Sequence, residues 1–179
     1  MESYMLVLPA NPVNNGLSIR LVSKESDRPV IHQIFLQEFY GNDPKSYSDI
    51  GLWEIYDRME TRGAYGAYLV YQAEQVRFLL EIHPPEMMWL AEYTLQEHDI
   101  SIYCFFLSVN ESIDLPAVRA CLDVLLNYPD VDRIITSFAS SGPDEPRATL
   151  LQKAGFVLRP ESTERLSIYE CTRETFREP

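Results

Sequence analysis

Apolar residues in this chain recur in two rhythms, and the switch between them marks the elements. Gly16 to Val22, "GLSIRLV", alternates apolar with polar side chains and predicts a strand. Ser26 and Asp27 then stand as candidate helix caps, with Pro29 in a first turn. Ile31, Ile34, Phe35 and Phe39 follow at helical spacing. After a turn at Gly41 to Pro44, residues 47–60 read as a second helix. Ile50, Trp53, Ile55 or Tyr56, and Met59 lie near one face, and Arg62-Gly63 ends it.

Residues 64–72 and 74–83 return to strand patterning around a tight turn at Ala73-Glu74, and Pro84-Pro85 stops the second strand. Asp99 to Val109, "DISIYCFFLSV", is apolar on both faces, which predicts a central strand covered on both sides. Leu115, Val118, Leu122, Leu125 and Leu126 form a helical stripe that Pro129 closes. Residues 132–139 predict another strand. Arg147 to Leu158, "RATLLQKAGFVL", predicts a helix ending at Lys153-Ala154-Gly155 with a strand directly after it, and residues 165–172 a last strand. Asp144 is a cap for that helix, and Pro146 suits its first turn.

The predicted order is β-α-α-β-β-β-α-β-α-β-β. It implies an α/β (α+β) domain with a mixed central sheet of about six to seven strands, flanked by about four helices. The strand–helix–strand unit from Asp99 to Ala139 should be a right-handed parallel crossover. Residues 1–179 read as a single domain, with residues 1–15 as an extra edge strand or arm. There is no internal repeat or long linker.

Charge and composition narrow the function classes. The net charge is −12, so a nucleic-acid backbone would be repelled over most of the surface, whereas a cationic amine would not. No apolar run approaches a membrane span of roughly 20 residues. Cys104, Cys121 and Cys171 form no CxxC pair and fall on predicted core positions. Reduced, buried thiols and a cytoplasmic location are the expectation. No His/Cys/Asp/Glu cluster has metal-ligand spacing, so no metal is expected.

Two stretches resemble the GCN5-related N-acetyltransferase (GNAT) superfamily. One is "PRATLLQKAGFVL", similar to the family's helix ending in Lys-Ala-Gly-Phe. The other runs from Ala64 onward, where Glu81-Ile82 and Asp99 to Tyr103 are similar to the branch that includes siderophore-biosynthesis and aminoglycoside acetyltransferases. The resemblance implies an enzyme that transfers an acetyl group from acetyl-CoA, as cosubstrate, to a primary amine or hydroxylamine of a small molecule. It implies a pantetheine arm held by backbone near Phe105, Phe106, Leu107 and Val109. It also implies a diphosphate on a helix N-terminus, met here by Arg119, with Asp144 and Arg147 at the start of the later helix among the coenzyme-binding positions. A monomer or homodimer without nucleic-acid or membrane partners fits the same picture.

The chain departs from that pattern where it matters for binding. The family's diphosphate loop is glycine-rich because glycine lets backbone approach phosphate closely. Here the corresponding "NESIDLPAVR" holds no glycine, and none occurs between Gly66 and Gly142. Pro116 removes a donor, and Glu111 and Asp114 add negative charge worth about 1 kcal/mol of repulsion each at a wet surface. Tyr103 stands at the branch's histidine position, and Leu151 replaces the tyrosine that protonates the leaving thiolate in many relatives.

Three residues are candidates for the chemistry. Glu81 is a proton acceptor for the amine, and His83, two residues on, shares its strand face and completes a base. Tyr103 is a hydrogen-bond donor or general acid, or else a core tyrosine. A second reading is a catalytically inactive GNAT-fold ligand-binding or interaction module that has lost coenzyme A binding. A third is an acyltransferase whose donor lacks the diphosphate.

Overall fold

The computed structural model describes residues 17–22, 24–40, 66–83, 96, 98–139 and 145–177. The expected arm at 1–15, the helix expected at 47–60 and Asp144 lie outside them. The described elements are β1 (Leu17–Leu21), α1 (Lys24–Tyr40), β2 (Gly66–Gln72), β3 (Gln75–His83), β4 (Asp99–Phe106), α2 (Glu111–Leu126), β5 (Arg133–Ala139), α3 (Glu145–Lys153), β6 (Val157–Leu158), β7 (Leu166–Thr172) and α4 (Arg173–Arg177). The seven strands form one mixed sheet, in the order β1-β2-β3-β4-β5-β7-β6. Among the described residues no helix is long and apolar enough to cross a membrane.

The chain divides into two compact units. The first holds the described residues up to His83 together with Cys104–Ser108. There, β1 and β3 pair antiparallel with β2, from Leu17 opposite Gln72 and from Gly66 opposite Ile82. The β2–β3 turn has only Ala73 and Glu74 at its tip, and both take positive φ, 46° and 70°. That is the backbone a two-residue hairpin needs to match strand twist. Ile31, Ile34 and Phe35 of α1 bury themselves against Ala67, Leu69 and Leu79. Phe105 joins this core edge-on to Phe35, at 5.3 Å between ring centroids.

The sequence expectation for α1 needs two corrections. The helix starts at Lys24, so Asp27 lies inside it and does not cap it, and Pro29 falls more than a turn in. The buried Asp27 carboxylate instead accepts both terminal nitrogens of Arg20, whose NH2 also donates to the Tyr71 hydroxyl. This pairing holds the Arg20 guanidinium well above its ordinary pKa.

The second unit holds the remaining described residues. β4 and β5 run parallel, as the strand–helix–strand pattern predicts, over Asp99–Ser101 opposite Arg133–Ile135. β5 pairs antiparallel with β7 along its whole length, and β6 adds to β7. Asp99 is fully buried and accepts a two-pronged bond from Arg133, 2.7 Å from Nε and 2.5 Å from NH2. Arg133 also reaches Glu170 at 2.9 Å, so a charged chain crosses β4, β5 and β7.

α2 begins four residues earlier than the apolar stripe predicts, at Glu111. Its buried face is Asp114, Ala117, Val118, Cys121, Leu122, Leu125 and Leu126, with Leu115 only half-buried. At the far end, Arg173 of α4 donates to the carbonyls of Leu126 (2.7 Å) and Tyr128 (2.8 Å) and to Asp132 (3.3 Å). The Leu126 carbonyl, in the last turn of α2, thus finds a partner on a later element. The sequence pattern does not predict α4.

α3 ends as the Lys-Ala-Gly-Phe step predicts. Gly155 has φ +113°, its N–H donates to Gln152, and the Phe156 N–H reaches back to Leu151. These two bonds make a Schellman cap. All three cysteines are buried, and none forms a disulfide.

Candidate functional site

β3 carries Glu81 and His83 into the first unit with both side chains nearly fully buried. Alternation along the strand puts them on one face. Opposite Glu81 stands Ala67 of β2, too small to crowd the carboxylate. His83 Nε2 lies 3.2 Å from Glu81 Oε2, within hydrogen-bond distance. Glu81 Oε1 is buried and has no hydrogen-bond partner among the described residues. Leaving such an oxygen unsatisfied costs about 1–3 kcal/mol or more, and stable folds rarely carry that cost without a use for the group.

The backbone expected to hold a pantetheine arm is partly engaged. The Leu107 N–H donates to the Arg77 carbonyl at 3.2 Å, and its carbonyl accepts Gln37 Nε2 at 2.6 Å. Arg77 NH2 donates to the Ser108 carbonyl. Phe105 and Phe106 pack their rings on Phe35 and Phe78. Sequence reading missed Gln37 and Arg77 as residues that order this segment, because a single polar residue on an amphipathic element looks like solvent-facing surface.

In the second unit, Tyr103 packs against Ile135 and Ile168 with Leu166 beside it, in the arrangement of a core tyrosine. Asp99, at the strand start, serves the Arg133 pairing. Val109 is half-buried in the link between β4 and α2. Arg147 sits in the first turn of α3, half-buried.

The start of α2 differs most from the expectation. Residues 111–119 are helix and not loop. Asn110 is the N-cap, with extended backbone and no capping bond from its own side chain. The cap comes from four residues ahead, where Asp114 Oδ2 accepts the Asn110 N–H at 2.6 Å, while the Asn110 carbonyl receives the Asp114 N–H at 2.8 Å. The second of these is the first backbone bond of the helix, so only the Asn110 N–H is met by a side chain, which is half of a capping box. Glu111 pairs with Lys153 at 2.6 Å. Arg119 lies eight residues into the helix, about 12 Å along its axis. It donates to the Phe176 carbonyl at 2.9 Å and lies 4.6 Å from the centre of that ring. Among the described residues no three His, Cys, Asp or Glu side chains gather as metal ligands.

No protein-family model and no curated protein matches the sequence. Solved structures do match it. An uncharacterized protein from Bacillus halodurans superposes with a TM-score of 0.71 at 15% identity, over 90% of this chain and 86% of that one. The aminoglycoside acetyltransferase AAC(6′)-Ib, in complex with coenzyme A and kanamycin, gives a TM-score of 0.69 at 17% identity, over 89% and 96%. Mutant forms of the spermidine/spermine N-acetyltransferase SpeG from Vibrio cholerae give 0.64 at 16%, over 91% and 97%. With the strand order and the Gly155 helix end described above, these likenesses give the chain the fold of the GCN5-related N-acetyltransferases.

Proposed function

We propose that this protein is an N-acyltransferase that moves an acetyl group from a coenzyme A-type thioester to a primary amine or hydroxylamine of a small molecule. The observation that carries the reading is the buried Glu81–His83 pair with one carboxylate oxygen left open. The amine nitrogen attacks the thioester carbonyl carbon. A C–N bond forms, the C–S bond breaks, and the electron pair leaves on sulfur. Glu81 takes the amine's proton at Oε1, directly or through water, while the His83 N–H holds the other oxygen in place. The thiolate takes up a proton, giving an amide and a thiol. Solved proteins of this fold include complexes with coenzyme A, which supports the donor class.

The test is an acceptor screen with acetyl-CoA and acetyl-pantetheine, run on wild type and Glu81→Gln. Turnover lost in the variant supports the reading, and equal turnover in the two proteins sinks it. A second reading, a binding module without catalysis, is favoured by the Asp114 cap and the engaged Arg119. It predicts no turnover with any acceptor.

A further inference from the structure

α4 is fastened to the second unit without being buried in it. None of its residues is buried, and Phe176 is only half-buried. A set of separate contacts holds it. Arg173 donates to the Leu126 and Tyr128 carbonyls and to Asp132. Arg119 of α2 donates to the Phe176 carbonyl and faces its ring. The backbone at Thr175 and Phe176 passes Gly155, where a Cβ would collide with it. Large apolar burial makes an element open only together with its core. An element held by a few polar contacts can open alone, at a lower free energy.

Cys171 lies beneath this segment. The residue is fully buried, Thr175 Oγ1 of α4 stands 4.0 Å from its Sγ, and the Arg119 charge acts on the thiol. At the junction of β7 and α4, Thr172 and Thr175 cap each other. The Thr172 N–H donates to Thr175 Oγ1 at 3.0 Å, and the Thr175 N–H to Thr172 Oγ1 at 3.3 Å. The turn that joins α4 to the sheet is therefore closed by bonds of its own.

We infer that α4 is a releasable strap: it lifts off α2 and α3 as one piece while the second unit stays folded, and its release uncovers Cys171. The inference stands apart from the acyltransfer reading.

The three cysteines of the full chain, all buried, test it directly. Iodoacetamide labelling at pH 8 is followed at each cysteine by mass spectrometry, across a urea series below the unfolding transition. A local opening exposes little surface and responds weakly to urea, whereas unfolding of a whole unit responds steeply. Cys171 should react about tenfold or more faster than Cys104 and Cys121, with a shallower urea slope. Arg173→Met, and separately Arg119→Met, should each speed Cys171 about fivefold or more. Ile135→Val trims a buried residue of β5 on the sheet face opposite to that of Cys171. It should speed Cys121 and leave Cys171 unchanged. Cys171 keeping pace with Cys104 and Cys121 through the urea series overturns the inference. So does a Cys171 rate that neither arginine variant moves, or one that Ile135→Val raises as much as it raises that of Cys121.

Discussion

Gly155 and Phe176 meet backbone to backbone: a Cβ placed on Gly155 would lie 2.8 Å from Phe176 Cα and 3.1 Å from the Thr175 carbonyl oxygen. The φ of +113° disfavours any side chain independently of that clash. Gly155→Ala should therefore cost about 3 kcal/mol, and thermal unfolding should fall by roughly 6–12 °C. An unchanged midpoint would contradict both costs, the close approach of α4 and the positive φ.

The hairpin tip offers the opposite change. Ala73 and Glu74 both occupy positive φ, where a side chain costs about 1 kcal/mol or more. Ala73→Asn with Glu74→Gly installs the residues this turn favours. Denaturant unfolding should show a gain of about 1 kcal/mol, and a loss would mean that the native side chains make contacts that outweigh the strain.

Glu81→Gln removes the proton acceptor but keeps the size of the side chain. It should lower kcat/KM by about 10²–10³-fold with little change in donor binding. His83→Asn can still donate to Glu81 and should lose about tenfold. Steady-state kinetics with the best acceptor checks both, and equal losses would mean that His83 does more than orient the carboxylate.

Asp99 has no solvent to fall back on when its partner goes. Arg133→Met should destabilise by about 3–5 kcal/mol, because it leaves a buried charge uncompensated. Asp99→Leu/Arg133→Met should lose less than Arg133→Met alone. Urea titration of the single and double variants reads the difference.

Burial pushes the Cys171 thiol up to about 11. The sign follows from proton linkage. The folded protein holds this proton more tightly than the unfolded chain, so the stabilisation is full below about pH 9 and fades as pH rises towards 11. Unfolding midpoints should drop across that window, and Cys171→Ala should flatten the drop. In the native state at pH 8 the thiol should resist alkylation.

The fold was legible wherever one residue decides the backbone. Gly155 announced the end of α3, and the β2–β3 turn was visible even without glycine because two strand patterns left only Ala73 and Glu74 between them. The pairing of Glu81 with His83 was legible, since strand alternation fixes which residues share a face. It was not legible around α2. An Asp in a first turn reads as surface charge, and only the three-dimensional start of the helix turns Asp114 inward as a cap. The fate of Arg119 depends on Phe176, 57 residues later, and no local pattern encodes that pairing.

The Arg173 contacts have a consequence for how the protein is made. The carbonyl of Leu126 waits for a partner 47 residues downstream. At 5–20 residues per second, a ribosome needs roughly 2–9 s to add that stretch. The end of α2 thus spends seconds without its clasp during synthesis.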